Sequence, residues 1–251
     1  MTTLKGNWFS ETLKMDTHVT VCMPDLPKQA KATVILLHGL KGDADVWMNR
    51  VGIEYFANKH SLAFVMPEVQ RSWYMDMAYG LDYFGYVSEE VPQLIAHYFN
   101  LPVDPEHLYI GGLSMGGYGT IRCALKNPDR YKGAMSFSAR VFMEGRAFLY
   151  NDDRSVREFQ GLLGLDRQTS LENNTDVRKM LARAASAPVK PKFYVACGTE
   201  DTLYPESVEF NQLLQDAGFD VTYEEWAGRH SWDFWRESLP RGLKALGLTE
   251  E

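Results

Sequence analysis

The chain has 251 residues, 45% of them hydrophobic and 24% charged, with a formal net charge of −7. That is the make-up of an ordinary folded domain rather than a disordered chain, and the acidic balance without a basic stripe argues against a nucleic-acid partner. Cys22, Cys123 and Cys197 are too few and too scattered for a disulfide framework or a zinc site, and no apolar run approaches the ~18 residues of a membrane span.

Residues 1–16 carry Lys5, Glu11, Lys14 and Asp16 and lack the apolar stretch of a secretory leader, so the expected setting is the reducing cytoplasm, with the three thiols buried and unpaired. The segment from Trp8 to Met23 is a candidate antiparallel hairpin. Thr33-Val34-Ile35-Leu36-Leu37-His38 reads as a fully buried strand that Gly39 ends. Residues 62–66, 108–110, 133–138 and 192–197 read in the same way, while residues 221–226 alternate like a strand at a sheet edge. Helical spacing marks residues 88–98, 115–126, 205–217 and 231–246, the last with Ser231 as a candidate N-cap. Strands alternating with helices predict an α/β fold, a mostly parallel sheet covered on both faces, as a single domain over 1–251. Residues 140–190 break the rhythm with Arg, Asp, Asn and Gln. They either pad an edge of the sheet with helices or form a partial lid. Arg140 and Arg146, which open the segment, read as solvated side chains.

Between the 108–110 strand and the 115–126 helix lies Gly112-Leu113-Ser114-Met115-Gly116. A serine on a sharp strand-to-helix turn stands clear of its own backbone, and the flanking glycines let neighbouring chain pass close. Ser114 is therefore a candidate nucleophile. Such a hydroxyl needs a base, and the base needs a group to hold its tautomer. In doubly wound sheets both come from loops at the carboxyl ends of later strands. Asp201 in Gly198-Thr199-Glu200-Asp201 and His230 in Gly228-Arg229-His230 occupy such places, giving the chain order Ser, Asp, His. Their competitors are His38, read as structural, Glu200, read as a cap or solvated residue, and Asp233, which suits the first turn of the last helix. Developing oxyanion charge calls for two backbone donors, the N–H of Met115 and that of Leu40 in His38-Gly39-Leu40-Lys41-Gly42. Trp47, Trp73 and Tyr79 lie in loops after strands and are candidates for a substrate pocket, although aromatics of this kind also fill cores.

Several spaced blocks carry a resemblance. They are His38-Gly39-Leu40-Lys41-Gly42-Asp43 with Trp47, Ser72-Trp73-Tyr74 with Ala78-Tyr79-Gly80, and Gly111 to Gly119 around Ser114. Asp201-Thr202-Leu203-Tyr204 and His230-Ser231-Trp232-Asp233-Phe234-Trp235 complete the set. Together, from Val34 to Trp235, they resemble the esterase D-like branch of the α/β-hydrolases, nearest its tributyrin-esterase type of small serine carboxylesterase. The resemblance implies an α/β-hydrolase fold, a triad of Ser114, Asp201 and His230, and an oxyanion hole at Leu40 and Met115. It also implies hydrolysis of short-chain acyl esters with no cofactor and no metal. The same branch includes S-formylglutathione hydrolases, feruloyl and acetylxylan esterases, and mycolyltransferases. Tyr118 stands where formylglutathione hydrolases carry His, and the chain is short for them. An acyltransferase using the same triad and a non-catalytic binding protein on the same fold are the remaining alternatives. The expected partner is a small-molecule ester; assembly into a homo-oligomer is left open.

Overall fold

The computed structural model describes residues 2–143, 153–166 and 175–249. Eight strands form one sheet in the order β1-β2-β4-β3-β5-β6-β7-β8. They are β1 (Thr2–Ser10), β2 (Met15–Met23), β3 (Ala32–Leu37), β4 (Leu62–Pro67), β5 (Leu108–Leu113), β6 (Gly133–Phe137), β7 (Lys192–Gly198) and β8 (Val221–Trp226). β3 to β8 pair in parallel, and the β1–β2 hairpin joins antiparallel beside β4. The expected parallel sheet is present, and its hairpin begins six residues before Trp8.

The buried strands divide their side chains between two cores because successive residues point to opposite faces. In β3, Val34 and Leu36 face one core while Ile35 and Leu37 face the other. The first core is covered by α1 (Val46–Val51), α2 (Ile53–His60) and α8 (Trp232–Ala245), through Trp47, Ile53, Ala57, Leu239 and Leu243. The second is covered by α3 (Val91–Phe99), α4 (Met115–Lys126), α5 (Asp153–Leu163), α6 (Val177–Ala185) and α7 (Tyr204–Asp216). Helices on both faces of a mostly parallel sheet are the α/β-hydrolase arrangement expected from the sequence.

Four local details depart from the expected elements. β5 runs on to Leu113, because Gly111 and Gly112 keep register with Leu36 and Leu37 on one side and Met135 and Ser136 on the other. The 88–98 helix is preceded by helical turns from Tyr83, π-helical over Tyr86–Glu90. They leave the Glu90 carboxylate accepting hydrogen bonds from Ser10 Oγ and the N–H groups of Glu11 and Thr12 in the hairpin turn. α1 and α2 were not expected; Gly52, left-handed at φ +69°, separates them. Ser231 holds the N-cap position of α8, yet its side chain makes no capping hydrogen bond. Of the segment 140–190, α5 is tied to the loop before α3 by Ala78 N–H to Leu162 O and Tyr79 N–H to Gly161 O, at 3.0 and 2.9 Å. Arg146 lies outside the described residues. Among the described residues no helix is long and apolar enough to cross a membrane.

The three cysteines are unpaired and buried, as expected. Burial pushes the thiols up, to about 11 for Cys22, about 12 for Cys123 and about 11 for Cys197. All three are thus protonated thiols at neutral pH, sealed from reagents. Native protein treated with iodoacetamide at about pH 8 is expected to gain no adducts by mass, and denatured protein three. Rapid alkylation of any one in the folded state would contradict this packing.

Candidate active site

β5 delivers Ser114 into a turn with φ +54° and ψ −113°, a conformation costly for a residue with a side chain. α4 begins at the next residue. The turn is made tight by Gly116, where an added Cβ would lie 2.3 Å from the Leu37 carbonyl oxygen at the end of β3. Ser114 N–H is held by Phe137 O at 2.9 Å, and Ser114 O accepts from Tyr118 N–H at 3.1 Å. The hydroxyl is left facing the loops that follow β7 and β8.

Those two loops are stitched together. Thr199 N–H donates to Trp226 O and Glu200 N–H to Gly228 O, both at 3.0 Å. A side chain at Gly198 would collide with Gly228, since its Cβ would sit 2.3 Å from the Gly228 oxygen. This close approach sets Asp201 and His230 side by side. His230 Nδ1 lies 2.8 Å from Asp201 Oδ2, and its Nε2 lies 3.0 Å from Ser114 Oγ. A proton on Nδ1, donated to the carboxylate, leaves Nε2 free to accept the serine O–H. The imidazole is 35% exposed while the Asp201 side chain is fully covered, so the ring alone of this pair meets the open cleft. Trp235 closes one side, its ring edge-on to the imidazole at 5.0 Å.

Burial alone pushes the Asp201 carboxyl up. Hydrogen bonds from His230, the Leu203 N–H and the Ser138 hydroxyl outweigh it and hold the group below its ordinary value of 3.8. Asp201 is therefore an anion across the neutral range, suited to hold an imidazolium.

The competing groups are occupied elsewhere. His38 is 1% exposed. Val69 N–H donates to its Nε2 at 3.2 Å, which places the ring proton on Nδ1, 2.9 Å from Gly39 O. Nδ1 is thus committed to the loop after β3 and Nε2 to the loop after β4, the structural role expected of this residue. Glu200 pairs with Arg229 at 3.0 Å, and Asp233 with Arg236 at 3.3 Å. Tyr74 supports the same loop from below, its hydroxyl donating to His38 O at 2.8 Å. Trp73 and Tyr74 are themselves left-handed, at φ +54° and +55°, so backbone strain gathers on both sides of the serine. Met115 opens α4, so its N–H has no acceptor within the helix. The Leu40 N–H likewise makes no hydrogen bond among the described residues.

A cleft of about 540 Å³ opens over the serine, lined by Leu40, Trp73, Leu203, Trp232 and Trp235 together with three cationic side chains. Two of the three expected pocket aromatics lie elsewhere. Trp47 is fully buried, its Nε1 donating to Leu37 O at 3.1 Å and its ring edge-on to Trp232, so it props the loop and does not line the cleft. Tyr79 is 64% exposed on a loop that α5 holds, away from the lining. Trp73 does line it. Arg140, expected in solvent, is instead 19% exposed in the cleft wall. Trp232 and Trp235 were missed as lining residues; their nearness to His230 in a helix start was the available signal.

These features define an α/β-hydrolase carrying a Ser-His-Asp hydrogen-bonded chain at the carboxyl edge of its sheet. The model of the Esterase family matches residues 10–246, and the chain belongs to that family. An acetyl esterase of Caldicellulosiruptor saccharolyticus is 29% identical over all of both chains. An S-formylglutathione hydrolase of Rattus norvegicus is 30% identical over 51% of this chain and 54% of its own length. The solved structure of a fluorophosphonate-binding serine hydrolase of Staphylococcus aureus is 30% identical, covers 99% of each chain and superposes with a TM-score of 0.89. The protein is a serine ester hydrolase.

Because the folded state holds Asp201 below its ordinary value, its contribution to stability is present above that value and is lost as the pH falls through the lowered one. The difference in urea unfolding free energy between wild type and Asp201→Asn is accordingly expected to be larger at about pH 6 than at about pH 3. An equal or larger difference in acid would contradict the assigned hydrogen bonding.

Proposed function

We propose that Ser114 is the nucleophile, His230 the base and Asp201 the group that orients the imidazole, with the N–H groups of Leu40 and Met115 receiving the oxyanion. One observation carries this reading: a single imidazole bridges the Ser114 hydroxyl and the buried Asp201 carboxylate at 3.0 and 2.8 Å. On this reading His230 takes the proton as Ser114 attacks the ester carbonyl. The tetrahedral oxyanion meets backbone donors that need no reorganisation. His230 then gives the proton to the departing alcohol, and water repeats the sequence on the acyl-enzyme. No cofactor or metal enters these steps.

A small acyl group is the preferred substrate on this reading. The full-length likeness to an acetyl esterase supports it, as does the bulky Trp73 on the cleft wall. Thioester hydrolysis is the second reading, favoured by the partial likeness to an S-formylglutathione hydrolase. We further propose that the chain acts as one domain in the cytoplasm.

Ser114→Ala is expected to lower kcat on a short p-nitrophenyl ester by about 10⁴–10⁶, with an unchanged far-UV circular dichroism spectrum, since members of such a triad act as a unit. A folded Ser114→Ala protein with near wild-type turnover would remove the nucleophile assignment. Product analysis with an added alcohol acceptor separates hydrolysis from acyl transfer.

A further inference from the structure

Among the described residues the cleft over Ser114 is lined by Lys41, Arg50 and Arg140 and by no Asp or Glu side chain, although the chain as a whole carries a net charge of −7. Several carboxylates on the bordering elements are already engaged, and Asp43 accepts from the Asp45 N–H at 3.0 Å. Asp201 holds His230, Glu158 pairs with Arg71 at 2.7 Å, and Glu200 and Asp233 have the partners described above. Buried Glu206, in the first turn of α7, accepts from the N–H groups of Val141 and Phe142 at 2.9 and 3.1 Å through one oxygen. Its other oxygen lies 3.4 Å from a single nitrogen of Arg140. Among the described residues that is the sole hydrogen bond of the Arg140 guanidinium, a group with five N–H donors. Lys41 and Arg50 have no carboxylate partner among the described residues. A mostly buried guanidinium with donors unspent shares a partly apolar cleft with two exposed cations, and together they make a field of one sign.

We infer that the cleft selects esters or thioesters whose leaving portion bears a negative charge, a carboxylate or a group of similar charge. This rests on the catalytic reading above and narrows its substrate class. Arg50 locates the charge. It lies in α1, and its carbonyl oxygen accepts from Arg236 Nε of α8 at 2.7 Å. α8 begins just after His230 and brings Trp232 and Trp235 to the cleft. His230 hands its proton to the leaving oxygen or sulfur, so on this inference the leaving group lies on this flank of the cleft, which Arg50 and Lys41 also line. Arg140 lies between Ala139 and Val141, which pack in the opposite core, and adds to the field. Arg50 and Lys41 are both exposed at the rim; an Arg presents paired donors to a carboxylate, and Lys41 contributes mainly attraction on approach.

The test uses 4-acetoxybenzoate and its neutral counterpart 4-acetoxybenzamide, with kcat/KM for each divided by its rate of alkaline hydrolysis to remove intrinsic reactivity. The charged ester is expected to be preferred by about tenfold at low salt, the preference shrinking as ionic strength rises. In Arg50→Gln and Lys41→Gln the ratio is expected to fall toward one, chiefly through KM for the charged ester, and in Arg50→Glu to invert. Fluorophosphonate labelling and thermal unfolding of each variant report that the site is intact. A wild-type ratio of one or less with both esters hydrolysed would overturn the inference while leaving the esterase reading standing. A preference that survives all three substitutions would also overturn it. Turnover of neither ester would contradict the catalytic assignment and this inference with it.

Discussion

The contact on which the site depends is the approach of α4 to the end of β3. Gly116 meets the Leu37 carbonyl so closely that a Cβ would intrude to 2.3 Å. Only that approach lets Ser114 turn through a left-handed conformation and stand above the sheet. The same β3 end carries the loop from His38 to Gly42. The nucleophile and the candidate oxyanion donors are therefore positioned by one backbone junction. His38 Nδ1, the Tyr74 hydroxyl and Trp47 Nε1 each bond that junction, at Gly39 O, His38 O and Leu37 O respectively. A buried polar side chain left without such a partner would be costly, so these bonds fix the loop as well as support it.

A second junction, between the loops after β7 and β8, supplies the other half. Gly198 packs on Gly228, two backbone hydrogen bonds cross between the loops, and Asp201 and His230 follow at once. The parallel sheet brings both junctions to its carboxyl edge, where open α/β sheets present their ligands. The strain at Ser114, Trp73, Tyr74 and Ser138, all at positive φ, is concentrated there and is held by the packed sheet beneath. Charge is partitioned in the same economical way: Glu158, Glu200 and Asp201 are engaged in pairs or in the hydrogen-bonded chain, and cations remain in the cleft wall.

Most of the fold was legible because its strands are short continuous apolar runs and its helices have regular spacing. The exceptions have local causes. α1 and α2 are short and broken at Gly52, so neither presents a long period. The Gly111-Gly112 pair looks like a strand ending, yet it continues β5 because both neighbours keep register with it. The residues of the hydrogen-bonded chain were legible from motif and order, since each sits directly after its strand. The cleft was not. Loop position places Trp47 near the serine but does not say that its ring turns inward beneath the loop. Arg140 looked solvated in a polar stretch; its anchor, Glu206, lies 66 residues further on and is brought in by α7. Side-chain direction and long-range pairing are tertiary facts that local composition does not carry.

The account stands or falls on a covalent bond at residue 114. Acid-quenched turnover of a slowly deacylated ester, followed by intact mass and peptide mapping, is the most direct measurement. The account predicts one acyl group per chain, on the peptide containing Ser114, absent from Ser114→Ala and accumulating when His230 is replaced after acylation is forced with an activated ester. Steady turnover with no adduct, or an adduct mapped to another residue, would contradict it.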